Sequence, residues 1–254
     1  MGDWIRCFHP APDAGTRLLC FPHAGGSASA YHPLSAAVSG VVDPLVVQYP
    51  GRQERFGEPF AERSEEVVDA VLAALPGWDR GEPTALFGHS MGAVLAYETA
   101  RRMSAAGRPP VALFVSGRQA PSLPWRPAAL VRPVHEMNDR ELVEEMRRLS
   151  GTADELLSSP ELLPIILPPV RADYRLLDGH VHRSGPPLDC PVVVLTGDAD
   201  PRVTVENARL WEQETRGDFS CHVLTGGHFF LDGHLPYVAE VIASALRDRS
   251  GATP

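Results

Sequence analysis

Thr84-Ala85-Leu86-Phe87-Gly88-His89-Ser90-Met91-Gly92-Ala93-Val94 is the stretch that decides the fold of this 254-residue chain. Its first four residues are mostly apolar and predict a buried strand. A helical pattern begins at Ser90, because small and apolar residues recur at i, i+3, i+4 and i+7 from Ala93. The serine therefore lies on a sharp turn between strand and helix, and Gly88 and Gly92 provide the space such a turn needs. The stretch predicts a nucleophile elbow with Ser90 at its tip.

Outside the elbow, short apolar runs alternate with longer helical patterns, which predicts a mostly parallel central sheet flanked by helices. The predicted strands are Thr16–Phe21, Pro44–Gln48, Thr84–Phe87, Val111–Ser116, Pro191–Thr196 and Phe219–Leu224. The predicted helices are Glu62–Leu75, Ser90–Ala106, Val205–Thr215 and Leu235–Arg247. This alternation, together with a serine elbow after a central strand, predicts an α/β protein of the α/β-hydrolase fold.

One connection is much longer than the rest. The segment between Ser116 and Pro191 far exceeds the roughly dozen residues that a crossover between parallel strands requires. It is rich in proline and carries helical patterns at Asp139–Leu149 and Asp173–Leu177. Such a segment is too small to bury a core of its own. We therefore expect a single domain over residues 1–254, with a helical lid inserted at about 118–188.

A serine hydroxyl becomes a nucleophile only when a base takes its proton. In this fold the chain order is serine, acid, histidine, so the base should follow the last strand. His228 stands there, in Gly226-Gly227-His228-Phe229-Phe230, and is our candidate. His234 is the alternative, but it immediately precedes a helix and fits a surface or capping position better.

The acid that orients the base should lie in the loop after the preceding strand. Gly197-Asp198-Ala199-Asp200-Pro201 offers two aspartates there. Asp200 is favoured by its spacing from the glycine and by the proline that would stiffen the turn. Asp198 is the alternative, and it could instead bind the backbone of the loop.

A tetrahedral intermediate also needs hydrogen-bond donors for its oxyanion. Met91 opens the helix after the nucleophile, so its backbone N–H is one candidate. The second should come from the loop after the first predicted strand, Phe21-Pro22-His23-Ala24-Gly25-Gly26, where the Ala24 N–H is our candidate. The same loop could also be no more than a tight turn leading into a helix.

Composition excludes several classes of function. The net charge of −9 argues against nucleic acid or an anionic membrane as a partner. No run approaches the roughly 20 apolar residues of a membrane span, and no signal peptide is visible. The chain contains no lysine, so Schiff-base chemistry, a Walker-type phosphate loop and a Ser-Lys dyad are excluded. The four cysteines lack metal-site or redox spacing. We expect a cytoplasmic monomer without metal or cofactor.

Taken in order, four segments of the chain resemble those of type II thioesterases, the discrete editing enzymes of polyketide and nonribosomal peptide assembly lines. They are Phe21-Pro22-His23-Ala24-Gly25-Gly26, Tyr49-Pro50-Gly51-Arg52-Gln53-Glu54-Arg55, Phe87-Gly88-His89-Ser90-Met91-Gly92 and Gly226-Gly227-His228-Phe229-Phe230. Arg171-Ala172-Asp173-Tyr174 in the insert is also similar to a family segment. The resemblance runs from about Arg17 to Leu246 and is weakest in the insert.

The resemblance implies that Ser90, His228 and Asp200 form a triad that removes stalled or incorrect acyl groups from the phosphopantetheine arm of an acyl or peptidyl carrier protein. The apolar stretch Leu162–Val170 could line an acyl chamber or simply pack the lid onto the body. Arg52 and Arg55 could bind the carrier protein or the phosphate of the arm, or form salt bridges within the chain. A carboxylesterase or lipase of the same fold, and a non-catalytic binding protein that kept the fold, are the alternative functions.

Overall fold

A seven-stranded sheet with helices on both faces organises the chain in the computed structural model, which describes residues 3–123, 132–149 and 154–250, without the side chains of 248–250. In these ranges the strands are β1 Ile5–Arg6, β2 Arg17–Phe21, β3 Asp43–Val47, β4 Thr84–His89, β5 Leu113–Ser116, β6 Val192–Gly197 and β7 Phe219–Leu224. The α-helices are α1 His32–Val38, α2 Ser64–Ala74, α3 Met91–Ala105, α4 Asp139–Leu149, α5 Asp154–Leu157, α6 Leu163–Gly179, α7 Val205–Arg209 and α8 Leu235–Ser250. Residues 124–131 and 150–153 of the expected lid lie outside the described ranges.

The strand order is β1-β3-β2-β4-β5-β6-β7, and β4 therefore lies at the centre of the sheet. All neighbouring strands are parallel except β1, which pairs antiparallel with β3. The mostly parallel sheet expected from the alternation of strands and helices is confirmed.

Each central strand is buried on both faces, and its side chains alternate between two apolar layers. In β2, Leu18 and Cys20 point into the layer that α1 and α8 cover, whereas Leu19 and Phe21 point into the layer that α2 and α3 cover. Strands buried on both faces are near-continuous apolar runs, which is why they stand out in the sequence.

Three short elements were not predicted, and one helix boundary differs from the prediction. β1 is two residues long, α1 seven and α5 four, so none of them carries enough periodicity to be predicted. The helix predicted at Val205–Thr215 is α-helical only to Arg209 and continues as a 3₁₀ helix over Leu210–Glu214. In contrast, β7 and α4 have the predicted bounds.

The connection between β5 and β6 contains α4, α5 and α6. α6 is far longer than the predicted Asp173–Leu177, because it begins ten residues earlier and runs through Pro168 and Pro169. Proline has no backbone N–H and usually ends or kinks a helix. Leu167, Pro169 and Val170 are nevertheless buried against the body, and this packing offsets the two missing hydrogen bonds.

The carboxyl ends of the parallel strands meet at one edge of the sheet, and the loops that leave this edge carry the candidate residues. His23–Gly26 follows β2, Ser90 follows β4, Asp200 follows β6 and His228 follows β7. Strand polarity thus brings together residues that are up to 205 positions apart in the chain. None of the helices in the described ranges combines the length and apolarity that a membrane crossing requires.

Candidate active site

Ser90 stands on a strained turn between β4 and α3. Its φ of 55° and ψ of −113° lie in a region that side chains other than glycine rarely adopt. The turn is held because the Ser90 N–H donates to the carbonyl oxygen of Ser116 at 2.8 Å, and the Ala93 N–H donates to the Ser90 carbonyl at 3.1 Å. The elbow geometry expected from the sequence is present.

The two glycines of the elbow are required by the close approach of the backbone. A Cβ on Gly92 would stand 1.9 Å from the carbonyl oxygen of Phe21 in β2. A Cβ on Gly88 would stand 2.2 Å from the carbonyl oxygen of Gly92. Both distances are far inside van der Waals contact, so α3 can lie this close to the sheet only with glycine at both positions.

Ser90, His228 and Asp200 are joined by two hydrogen bonds. The Oγ of Ser90 lies 2.9 Å from Nε2 of His228, and Nδ1 of His228 lies 2.8 Å from Oδ2 of Asp200. Both contacts are satisfied when Nδ1 carries the proton and donates to the carboxylate, which leaves Nε2 to accept from the hydroxyl. The Asp200 carboxylate is shielded from solvent. This geometry allows the imidazole to take the serine proton.

The two alternative candidates lie outside this chain of hydrogen bonds. Asp198 is exposed, and its Oδ1 accepts the backbone N–H of Gly226 at 2.9 Å. His234 is bound through Nε2 to the carbonyl oxygen of Thr225 at 2.8 Å. Both residues shape the loops after β6 and β7, and neither contacts Ser90.

The two candidate oxyanion donors lie near Ser90, because Met91 follows it in the chain and Ala24 lines the same cavity. Met91 is the first residue of α3, and Ala24 lies in a turn closed by a hydrogen bond of 2.9 Å from the Gly26 N–H to the His23 carbonyl. Among the described residues, neither the Ala24 nor the Met91 N–H donates to another protein group. Both are thus free to bind an oxygen that develops negative charge beside Ser90.

Three imidazole rings are packed at the site. The ring centroid of His89 lies 5.1 Å from that of His228 and 6.1 Å from that of His23. Burial, together with the neighbouring His228 and Arg52, lowers the pKa of His23 to about 4. Burial, followed by the charges of His228 and His23, lowers the pKa of His89 well below its usual value. Both rings are therefore neutral near pH 7 and do not oppose a positive charge on His228.

A cavity of about 270 Å³ opens beside Ser90 and His228, and most of its wall is apolar. Of the stretch Leu162–Val170, four residues line it: Ile165, Ile166, Pro169 and Val170. Three exposed apolar side chains stand at its rim, Phe56, Leu156 and Ile165, with exposed fractions of 61%, 43% and 51%. Large apolar side chains exposed around one opening are typical of a binding site rather than of ordinary surface.

Arg52 and Arg55 both form salt bridges within the chain, which was one of the two interpretations left open by the sequence. The Arg52 guanidinium binds both carboxylate oxygens of Asp173 in α6, and Arg55 binds Glu58 and stacks on the ring of Trp4. Burial lowers the pKa of Arg52, but the Asp173 carboxylate outweighs it, so the net pKa is raised. The alternative interpretation, that these arginines bind a carrier protein or its phosphate, is not supported by this geometry.

A model of the thioesterase domain family matches residues 16–246. The chain belongs to the thioesterase family. The thioesterase PikA5 of Streptomyces venezuelae is 43% identical over 252 residues, which cover 99% of this chain and 88% of that protein. A probable cadicidin biosynthesis thioesterase of Streptomyces griseus is 44% identical over 96% of this chain and 66% of that protein.

Among solved structures, the type II thioesterase BorB from the borrelidin biosynthetic cluster superposes with a TM-score of 0.86 and 45% identity, covering 96% of this thioesterase and 98% of that chain. The resemblance to type II thioesterases, the α/β-hydrolase fold and the expectation of a thioester-hydrolysing enzyme are thereby confirmed. A non-catalytic binding protein is no longer an alternative for this thioesterase.

The sequence assigns Asp173 no role of its own and does not identify it as the partner of Arg52 near the site. Both lie in segments that resemble the family, yet they are 121 positions apart, and no local pattern connects them. Within residues 3–123, 132–149 and 154–250, no group of three or more His, Cys, Asp or Glu side chains is arranged to hold a metal ion.

Proposed function

We propose that this thioesterase hydrolyses acyl groups from the phosphopantetheine arm of acyl or peptidyl carrier proteins, and so removes stalled or incorrect units from polyketide or nonribosomal peptide assembly. The observation that carries the proposal is the hydrogen-bonded chain of Ser90, His228 and Asp200, which opens onto a largely apolar cavity. An activated hydroxyl and a place for an acyl chain are the two things this reaction needs.

In the first half of the reaction, the Oγ of Ser90 attacks the thioester carbonyl carbon while Nε2 of His228 takes its proton. The Ala24 and Met91 N–H groups stabilise the oxyanion of the tetrahedral intermediate, and Asp200 stabilises the imidazolium. The C–S bond then breaks. The leaving thiolate takes the proton from His228, and with a thiol pKa of about 8.5 it is a good leaving group.

In the second half, water replaces the thiol. His228 takes a proton from this water, which attacks the carbonyl carbon of the acyl-Ser90 ester. The second tetrahedral intermediate uses the same two donors, and its collapse returns the proton to Ser90 and releases a carboxylic acid. The neutral rings of His23 and His89 support both steps, because neither repels the imidazolium.

We also propose how the chain is divided between domain and lid. Residues 1–254 are a single α/β-hydrolase domain, and about 118–188 form a lid whose helix α6 supplies one wall of the acyl cavity. We further propose that the enzyme works as a monomer in the cytoplasm.

Mass spectrometry of acyl carrier proteins before and after incubation tests this function. We expect the native enzyme to release the acyl group as a free acid, and the Ser90→Ala variant to lose about 10⁴-fold or more in kcat. Ser39→Ala, which removes an exposed hydroxyl bound to the carbonyl of Ala36, is the matched control and should keep native activity.

Two results would contradict the proposal. Native turnover by Ser90→Ala would remove the serine mechanism. A clear preference of the native enzyme for an oxygen ester over the matched acyl thioester would favour a carboxylesterase or lipase instead.

A further inference from the structure

A buried ion pair joins the lid helix to the body of the molecule. Nη1 of Arg52 donates to Oδ2 of Asp173 at 2.6 Å, and Nη2 donates to Oδ1 at 2.7 Å. The two side chains are only 7% and 8% exposed. Bidentate geometry of this kind fixes orientation as well as distance.

Both partners of the pair also bind the backbone of the turn that follows β2. Oδ2 of Asp173 accepts the N–H of Gly25 at 2.7 Å, and Nη1 of Arg52 donates to the carbonyl oxygen of Gly26 at 3.2 Å. The carboxylate and the guanidinium therefore hold two successive residues of the turn, one through its donor and the other through its acceptor.

The turn itself has a defined conformation that depends on these contacts. Gly25 has a φ of +77°, as at the second central position of a type II turn, where glycine is favoured. A Cβ at Gly25 would stand 2.5 Å from a methyl group of Val170, one helical turn before Asp173 in α6. The helix thus touches the turn at two places, and Asp173 supplies the acceptor that the Gly25 N–H requires when buried.

Ala24 is the first central residue of the same turn, and its N–H is a proposed oxyanion donor. Such donors contribute strongly only when they are held within about 0.5 Å of their productive positions. We propose that Asp173 and Arg52 are positioning residues, whose ion pair holds the His23–Gly26 turn so that the Ala24 N–H faces the oxyanion at Ser90. This inference rests on the roles given above to Ser90 and Ala24.

A positioning role can be distinguished from simple packing, because apolar replacements can restore the packing of the two side chains without restoring their hydrogen bonds to the turn. The double variant Arg52→Met with Asp173→Leu removes both charges and fills the space with apolar groups. Replacing a buried ion pair in this way often leaves the fold as stable as before. The Gly25 N–H and the Gly26 carbonyl nevertheless lose their partners. The single variant Asp173→Asn keeps the shape but leaves one oxygen to serve both the turn and Arg52.

The experiment measures kcat and KM on a propionyl thioester of N-acetylcysteamine, inhibition by a trifluoromethyl ketone, and thermal unfolding. The short acyl group is chosen because Arg52 also lines the acyl cavity. We expect the double variant to remain folded at the assay temperature, although the unpaired Gly25 N–H and Gly26 carbonyl lower its unfolding temperature, and to lose about 10²-fold in kcat, with KM changed less than about threefold. Affinity for the ketone, which forms an oxyanion at Ser90, should fall by the same factor. Asp173→Asn should lose about tenfold in kcat.

Asp178→Asn is the matched control. Asp178 is another largely buried acid on α6, and it is bound to His135 and not to the turn after β2. It should keep native kcat. A folded double variant with native kcat and native ketone affinity would overturn the positioning role, as would an equal loss in Asp178→Asn. Each variant tests the proposal by itself if the other fails to fold. The native rate on the small thioester is measured first, because its absence would contradict the proposed function itself.

Discussion

At the scale of single residues, the loop after β6 shows how two aspartates two positions apart acquire different roles. The carboxylate of Asp200 is shielded from solvent, binds Nδ1 of His228 and accepts the backbone N–H of Arg202 at 2.8 Å. Asp198 is exposed and only ties this loop to Gly226. The side chain that can influence the base is therefore Asp200, although both fit the loop by sequence.

Substituting Asp198 and Asp200 separately tests which of the two orients His228. In Asp200→Asn the amide donates to Nδ1, which forces the ring proton onto Nε2 and blocks acceptance of the serine proton. We expect kcat to fall about 10⁴-fold, the size of the same change in serine proteases. Thioester turnover under saturating substrate measures this. Asp198→Asn should remain within about threefold of native, since the asparagine oxygen still accepts the Gly226 N–H. An equal loss in both variants would contradict the assignment of Asp200.

Ser90, His228 and Asp200 could be proposed together from the sequence because each follows the end of a recognisable strand. Chain order and strand polarity are enough to bring such residues together. Asp173 and Arg52 could not be connected in the same way. Their pairing depends on how α6 docks on the body, and docking of this kind leaves no periodic signal in either segment.

At the scale of elements, α6 combines one wall of the cavity with part of its rim. Ile165 is half exposed, whereas Ile166 is partly buried and Val170 is buried in the same wall. An exposed apolar side chain at this position gains burial only when a chain of the substrate covers it.

Shortening this side chain should affect long acyl groups selectively. Ile165→Ser removes apolar area worth about 1 kcal/mol on contact, equivalent to about fivefold in KM for an octanoyl thioester. The KM of an acetyl thioester should stay the same, because that group is too short to reach the rim. Steady-state kinetics on the two substrates gives the comparison.

Val181→Ser is the control for this effect, because Val181 is 74% exposed and lies outside the cavity wall. It should leave both KM values at the native level. If Ile165→Ser changed KM equally for octanoyl and acetyl substrates, the rim would not contact the acyl chain.

Elements were predicted well where they are long and regular, and poorly where local signals conflict. Pro168 and Pro169 indicate a break, yet α6 continues through them because tertiary packing of the apolar residues around them outweighs the loss of two hydrogen bonds. β1 was not predicted, for a different reason: a two-residue strand has no pattern of its own and is defined only by its pairing with β3.

At the scale of the whole molecule, His23 and His89 link stability to pH. The folded state lowers the pKa of His23 from 6.5 to about 4, with burial as the largest cause, and lowers that of His89 in the same direction. Between these values the unfolded chain binds a proton that the folded chain does not. The stabilisation is therefore complete above pH 6.5 and is lost as the pH falls towards 4.

A His23→Gln variant should show a weaker dependence on pH than the native protein. The shift in His23 corresponds to about 3 kcal/mol by pH 4, of which about 2 kcal/mol should be lost between pH 7 and pH 5. Urea unfolding at these two pH values measures the difference. His32→Gln, which replaces an exposed ring, should behave as the native protein does. Identical pH dependence in His23→Gln and native protein would show that His23 is not the group responsible.

The hydrogen bond between Gly25 and Asp173 spans 148 positions of the chain, and this separation affects how the enzyme folds. Closing so long a loop is slow compared with forming a helix or a neighbouring strand pair. The turn at Gly25 therefore gains its acceptor only when α6 has docked on the body. If the proposed positioning role holds, competence to hydrolyse a thioester requires that residue 173, far along the chain, has docked on the turn after β2.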